Sequence, residues 1–133
     1  MYWYHGSKKL FPKLKKHKAY APPGAPSEDG LEAIYLTPDF VFALFNAAIP
    51  PGITKADLTD RTMCFENPDM FNPEEDIYIY IIDPLKIPDD RKKYIDEWQI
   101  VVDMDEIEPD KVETYKSSEI LKYYTIKDEI LKV

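Results

Sequence analysis

The run Asp76-Ile77-Tyr78-Ile79-Tyr80-Ile81-Ile82-Asp83 decides how the rest of the chain is read. β-Branched and aromatic residues fill it, and an aspartate closes each end. Successive side chains of a strand point to opposite faces, so Ile77, Ile79 and Ile81 share one face and Tyr78 and Tyr80 the other. Both faces are too apolar to be left to water. The run is expected to be a central strand, covered on both sides.

Reading outward from it gives the other elements. Towards the C-terminus, 84–94 reads as a charged loop and Glu97 to Asp103 (EWQIVVD) as a strand, with Trp98, Ile100 and Val102 alternating against Gln99 and Val101. Pro109 precedes a strand at about Lys111 to Tyr115, and Ser117 or Ser118 is placed to cap a short helix through Tyr124. Towards the N-terminus, 66–75 reads as loop and Leu58 to Phe65 as a segment holding a strand around Thr62, Met63 and Cys64. Pro50-Pro51-Gly52 ends a helix, FVFALFNAAI, that is apolar on nearly all sides and so expected to be buried. Thr37-Pro38-Asp39 starts it: threonine as cap, proline in the first turn, aspartate for the helix dipole. Leu31 to Leu36 reads as a strand with Ile34 and Leu36 on the core side. Phe11 to Asp29, with prolines at 12, 22, 23 and 26, reads as a long loop, a length that in compact domains is often functional. Tyr2 to His5 is a short strand that Gly6 is expected to stop. The sum is an α+β chain with few helices, one domain over 1–133.

Composition bounds the function. At 133 residues, 44% hydrophobic and 14% aromatic, the chain is not disordered overall. Cys64 is the only cysteine, so no internal disulfide and no Cys/His zinc set is possible, and no metal is expected. With no apolar run approaching the roughly 20 residues of a membrane span, and no apolar core behind the basic start, a cytoplasmic protein away from membranes is expected. The net charge of −8 opposes nucleic acid as a partner. The charge is unevenly spread: residues 1–20 hold six lysines (8, 9, 13, 15, 16, 18) and no acid, leaving 11 basic and 25 acidic residues to the remainder. This basic segment is either a solvated face or a clamp for an anion such as a pyrophosphate.

Three stretches remain that the fold alone does not require: Tyr4-His5-Gly6-Ser7 at the first strand end, Ile34-Tyr35-Leu36-Thr37 entering the helix, and Asp96-Glu97-Trp98-Gln99-Ile100-Val101. Together they resemble the ADP-ribosyltransferase superfamily in its His-Tyr-Glu, poly(ADP-ribose) polymerase-like branch, with the three positions falling in order on His5, Tyr35 and Glu97. A more local likeness is to the small rifampin-inactivating ADP-ribosyltransferases. There Tyr-His-Gly-Thr, Val-Tyr-Leu-Thr and a Glu-Asp-Asp run look like YHGS, IYLT and YIIDPLKIPDD, which would put the third position on Asp90 instead. Glu97 is preferred, because acid-aromatic-x-Ile-Val on a strand is the better specified pattern.

The resemblance implies an ADP-ribosyltransferase-like fold, two small antiparallel sheets packed face to face, with NAD as co-substrate in the cleft between them. It implies that His5 bonds the adenosine-side ribose, that Gly6 offers its backbone to the nicotinamide amide, and that Tyr35 stacks on the nicotinamide ring. Phe45, ten residues after Tyr35, would close the other side, and Ser7 and Thr37 would line the site. Glu97 would oppose the charge of an oxocarbenium-like ribose, the need that carboxylates meet in glycosidases. The implied activity is mono-ADP-ribosyl transfer to a small-molecule or protein acceptor. Ile95 stands where arginine-directed members carry an acid or glutamine, which argues against arginine as that acceptor. An NAD glycohydrolase acting as a toxin or defence protein differs only in using water. A non-catalytic nucleotide- or protein-binding module of the same fold is the other alternative. An RNA 2′-phosphotransferase is disfavoured, since only Arg61 and Arg91 are present to hold phosphate.

Overall fold

The computed structural model describes residues 1–18 and 32–127. Its strands are β1 (Trp3–Ser7), β2 (Leu14–Lys15), β3 (His17–Lys18), β4 (Glu32–Leu36), β5 (Thr54–Asp57), β6 (Thr62–Phe65), β7 (Asp76–Ile82), β8 (Lys92–Tyr94), β9 (Ile100–Val102), β10 (Glu106–Ile107), β11 (Lys111–Lys116) and β12 (Thr125–Ile126), with one α-helix, α1 (Phe40–Ala48).

β7 is the middle of a three-stranded antiparallel sheet, β1-β7-β11, and its alternation is realised as expected. Ile77, Ile79 and Ile81 enter one core with Ala43, Leu44, Phe45 and Ala47 of α1. Tyr80 and Ile82 enter a second core with Trp3, Ile34, Leu36, Ile100 and Val102. The last four belong to β4 and β9, the inner strands of a four-stranded sheet ordered β3-β4-β9-β8. One face of β7 therefore meets a helix and the other meets a sheet. At about 1.5–3 kcal/mol for each fully buried large apolar side chain, slipping β7 by one residue would exchange its two faces and misplace both sets. Two small additions complete the strands: β10-β2, and β12-β6-β5, in which β12 runs parallel to β6. The architecture is thus α+β, mostly small sheets with few helices. No described helix is long and apolar enough to cross a membrane.

Several local expectations give way. Gly6 does not stop β1; it pairs with Ile79 and the strand runs on to Ser7, because the ladder to β7 outweighs the glycine's weak strand preference. The expected loop 11–29 contains β2 and β3 in its described part, and 19–29 lies outside the described residues, as does Leu31. β5 and β8 were not legible: TKAD and KKY have no apolar alternation, and they are ordered by pairing with β6 and β9. The α1 cap is Asp39 rather than Thr37, its Oδ1 accepting the Phe42 N–H at 3.1 Å. The short helix after Ser117 is a 3-10 segment over Ser117–Lys122.

Candidate active site

β1 and β4 begin as neighbours and then part. The Tyr4 N–H donates to the Thr37 carbonyl (2.8 Å) and the Thr37 N–H to the Tyr4 carbonyl (2.9 Å), forming an isolated antiparallel bridge. Continued, that register would set Gly6 opposite Tyr35. Instead the imidazole of His5 spans the place, its Nδ1 lying 2.8 Å from the Tyr35 carbonyl oxygen. A carbonyl only accepts, so Nδ1 carries the proton, and in the neutral ring Nε2 is the acceptor nitrogen. The residues 30 positions apart are joined through the side chain of one and the backbone of the other.

Gly6 sits at this parting with its two sides differently used. Alternate residues of a strand direct their N–H and C=O to the same side. Those of Tyr4 bond to Thr37, so those of Gly6 lie on the β4 side of β1, in the gap. Its missing side chain would face α1: a Cβ built there would stand 2.0 Å from the Ala43 carbonyl oxygen and 3.0 Å from the Ala47 Cβ. Glycine is required here by the close approach of α1 to β1.

Tyr35 is half-buried on the face of the β4–β9 pair that carries Ala33 and Val101, opposite the core residues Ile34 and Leu36. Thr37 is 4% exposed and its Oγ1 accepts the Asp39 N–H (3.1 Å), so its hydroxyl serves the turn into α1. Ser7 Oγ accepts the Lys9 N–H (3.0 Å). Phe45 is buried within the first core, stacked on Tyr124 (5.2 Å between centroids) and Phe42 (6.3 Å).

Glu97 is not on a strand. Asp96 Oδ1 accepts the N–H groups of Trp98 (2.7 Å) and Gln99 (2.9 Å), and the Ile95 N–H bonds the Gln99 carbonyl, so 96–99 is the turn between β8 and β9. Glu97 is exposed at its tip. The register Leu36–Ile100 places this tip beside the Thr37–Asp39 connection, at the end of β4 where Tyr4 bridges Thr37. Asp90 is exposed in the 3-10 turn Asp89–Arg91, at the opposite end of the β8–β9 hairpin, where the Asp103 N–H bonds the Arg91 carbonyl. His5, Gly6, Tyr35 and Thr37 are therefore brought together, Glu97 lies at the same end of the sheet, and Asp90 does not.

Three of the six lysines of the basic segment are committed to the protein's own acids. Lys8 pairs with Glu75 (3.0 Å), Lys13 with Glu106 (3.2 Å) and Lys16 with Asp103 (3.1 Å). Exposed pairs of this kind are each worth about 0–1 kcal/mol, so they orient the segment more than they stabilise it.

Two residues near the site were not singled out from sequence. Tyr80, directly across from His5, is fully buried; its hydroxyl donates to the Lys9 carbonyl (2.8 Å) and accepts the Phe11 N–H (2.6 Å). Burial raises its phenol above the ordinary tyrosine range. Nothing in the alternation of β7 distinguishes it from Tyr78. Trp98, next to Glu97, lies 5.7 Å from the Phe42 ring and carries the hairpin tip onto α1; its aromatic ring after the glutamate was the available signal.

No family model, curated protein or solved structure matches the chain. Among the described residues, no group of three or more His, Cys, Asp or Glu is placed to hold a metal ion.

Proposed function

We propose that the chain is an NAD-dependent mono-ADP-ribosyltransferase of the ADP-ribosyltransferase-like fold, cleaving the nicotinamide–ribose bond and transferring ADP-ribose to a small-molecule or protein acceptor. The observation that carries this reading is the parting of β1 from β4 at His5, which leaves the Gly6 N–H and C=O at a strand edge beside Tyr35. A primary carboxamide presents one donor face and one acceptor face, so it can pair with a peptide edge as a neighbouring strand would. The cleft in this reading is that gap, not the face between the two sheets, which the second core fills.

The remaining groups supply what such a reaction needs. Tyr35 offers an aromatic face to a flat cationic ring. His5, with its proton held on Nδ1 by the Tyr35 carbonyl, presents Nε2 as acceptor for a ribose hydroxyl. When the C–N bond breaks, nicotinamide leaves neutral with the electron pair and the ribose carbon takes the positive charge. No proton need be given to the leaving group. Glu97 supplies negative charge at the hairpin tip, and the acceptor forms the new bond and loses its proton. With water as the acceptor the same site is a glycohydrolase. The exposure of Glu97 in a turn favours one second reading, a domain that binds the nucleotide without turning it over.

The test is nicotinamide release from labelled NAD by the wild type, by Glu97→Gln and by His5→Ala. Release that falls by about a hundredfold or more in Glu97→Gln, with NAD affinity kept, supports the transferase and its roles. Unchanged release overturns the assignment of Glu97. NAD binding with no release by the wild type selects the binding module, and absence of both rejects the NAD reading.

A further inference from the structure

We propose that Lys9 is the cation that meets the diphosphate of the dinucleotide, and that Tyr80 and Ser7 hold its backbone in place for that contact. The proposal rests on the NAD reading and deepens it, by separating one lysine from the six of the basic segment.

Lys9 follows His5 by four residues, and its peptide groups are fixed on both sides. Its N–H donates to Ser7 Oγ (3.0 Å), and its carbonyl accepts the Tyr80 hydroxyl (2.8 Å). The same hydroxyl accepts the Phe11 N–H (2.6 Å), so one phenol closes the turn over residues 9–11 from below. Tyr80 reaches across from inside the protein: it is fully buried, pairs with His5 in the β1–β7 ladder, and its ring meets the His5 ring edge-on at 6.0 Å between centroids and stacks on Phe11 at 6.3 Å. His5 and the Lys9–Phe11 turn thus share one rigid support. The side chain of Lys9 is exposed, and among the described residues no carboxylate pairs with it or with Lys15, whereas Lys8 and Lys13 each have one and Lys16 has two. A cation whose backbone is immobilised, beside the histidine that addresses the ribose, loses less freedom on meeting phosphate than one on a free loop. A buried phenol with both hydrogen-bonding roles used is also a costly group to keep in a core for packing alone, where phenylalanine would serve.

The experiment is calorimetric titration of the wild type, Lys9→Gln, Lys9→Arg, Tyr80→Phe and the Lys9→Gln/Tyr80→Phe double variant with ADP-ribose and with nicotinamide. Melting temperatures confirm that each variant folds, and exchange of the Phe11 amide reports the turn. Lys9→Gln is expected to weaken ADP-ribose about tenfold, to leave nicotinamide unchanged and to flatten the salt dependence, with Lys9→Arg close to the wild type. Tyr80→Phe is expected to weaken ADP-ribose about threefold and to speed Phe11 exchange, and to have no further effect on affinity in the Lys9→Gln background. Equal ADP-ribose affinity for the wild type and Lys9→Gln overturns the role of Lys9 while leaving the NAD reading standing. An equal Tyr80→Phe effect in both backgrounds overturns the positioning role. A wild type that binds neither ADP-ribose nor NAD removes the NAD reading, and this proposal with it.

Discussion

Replacing Gly6 by alanine tests the packing from which the whole site is built. Two effects oppose each other. Alanine restricts the unfolded chain and suits a strand better than glycine, a gain of about 0.5–1 kcal/mol when the native geometry accepts it. Here it does not: the added Cβ would lie 2.0 Å from the Ala43 carbonyl oxygen, 2.9 Å from the Ala43 carbonyl carbon and 3.0 Å from the Ala47 Cβ. An ordinary C···O contact is about 3.3–3.6 Å, so α1 and β1 must separate by more than 1 Å. The obstacle is helix backbone, and no rotamer change relieves it. Forcing extra atoms into a packed core costs about 1–3 kcal/mol and sometimes more, and this contact belongs at the upper end. The steric cost wins, leaving a net loss of roughly 2 kcal/mol, or a fall in melting temperature of about 6–10 °C for a chain of this size. Urea unfolding followed by far-ultraviolet circular dichroism measures it directly. A Gly6→Ala variant as stable as the wild type would mean that α1 does not lie against β1 at Ala43.

Two further outcomes follow from polar groups away from the site, one buried and one partly buried. Ser117 is fully buried and its Oγ has no hydrogen-bond partner among the described residues, so Ser117→Ala should raise stability by about 1 kcal/mol; a loss of similar size in the same urea assay would show that the hydroxyl is satisfied. The Tyr115 phenol is pushed up to about 12, chiefly by burial and then by its hydrogen bond to Glu113. A raised acid favours the folded state in its neutral form, so this contribution is fully present below the ordinary tyrosine value near 10 and is lost as pH rises through 12. Absorbance titration of tyrosinate should find a late-ionising group that Tyr115→Phe removes; an unchanged titration curve counts against the Glu113 contact.

What the sequence determined by itself is the layering. The alternation of 76–82 carries two different apolar faces, and a strand with two such faces must be covered twice, whatever covers it. The all-round apolar segment 40–49 could only be a buried helix, and Ile34, Leu36, Ile100 and Val102 could only face a core. These are local signals, written in the period of side chains along one element. The order and spacing of His5 and Tyr35 were equally plain, as residue types in a pattern.

Tertiary structure alone decided how those residues are used. Gly6 was legible as a break in a strand, but pairing with Ile79 carries β1 past it, and the glycine is needed because α1 passes so close. Glu97 was legible as the first residue of a strand, but Asp96 captures two backbone N–H groups and turns the chain there. β5 and β8 have no pattern of their own and exist because a neighbour offers hydrogen bonds. The imidazole of His5 meets the backbone of Tyr35, not its ring, because the Tyr4–Thr37 bridge joins two strands that then diverge. In each case the deciding contact lies between residues far apart in the chain, and its energy depends on a geometry that no local period encodes.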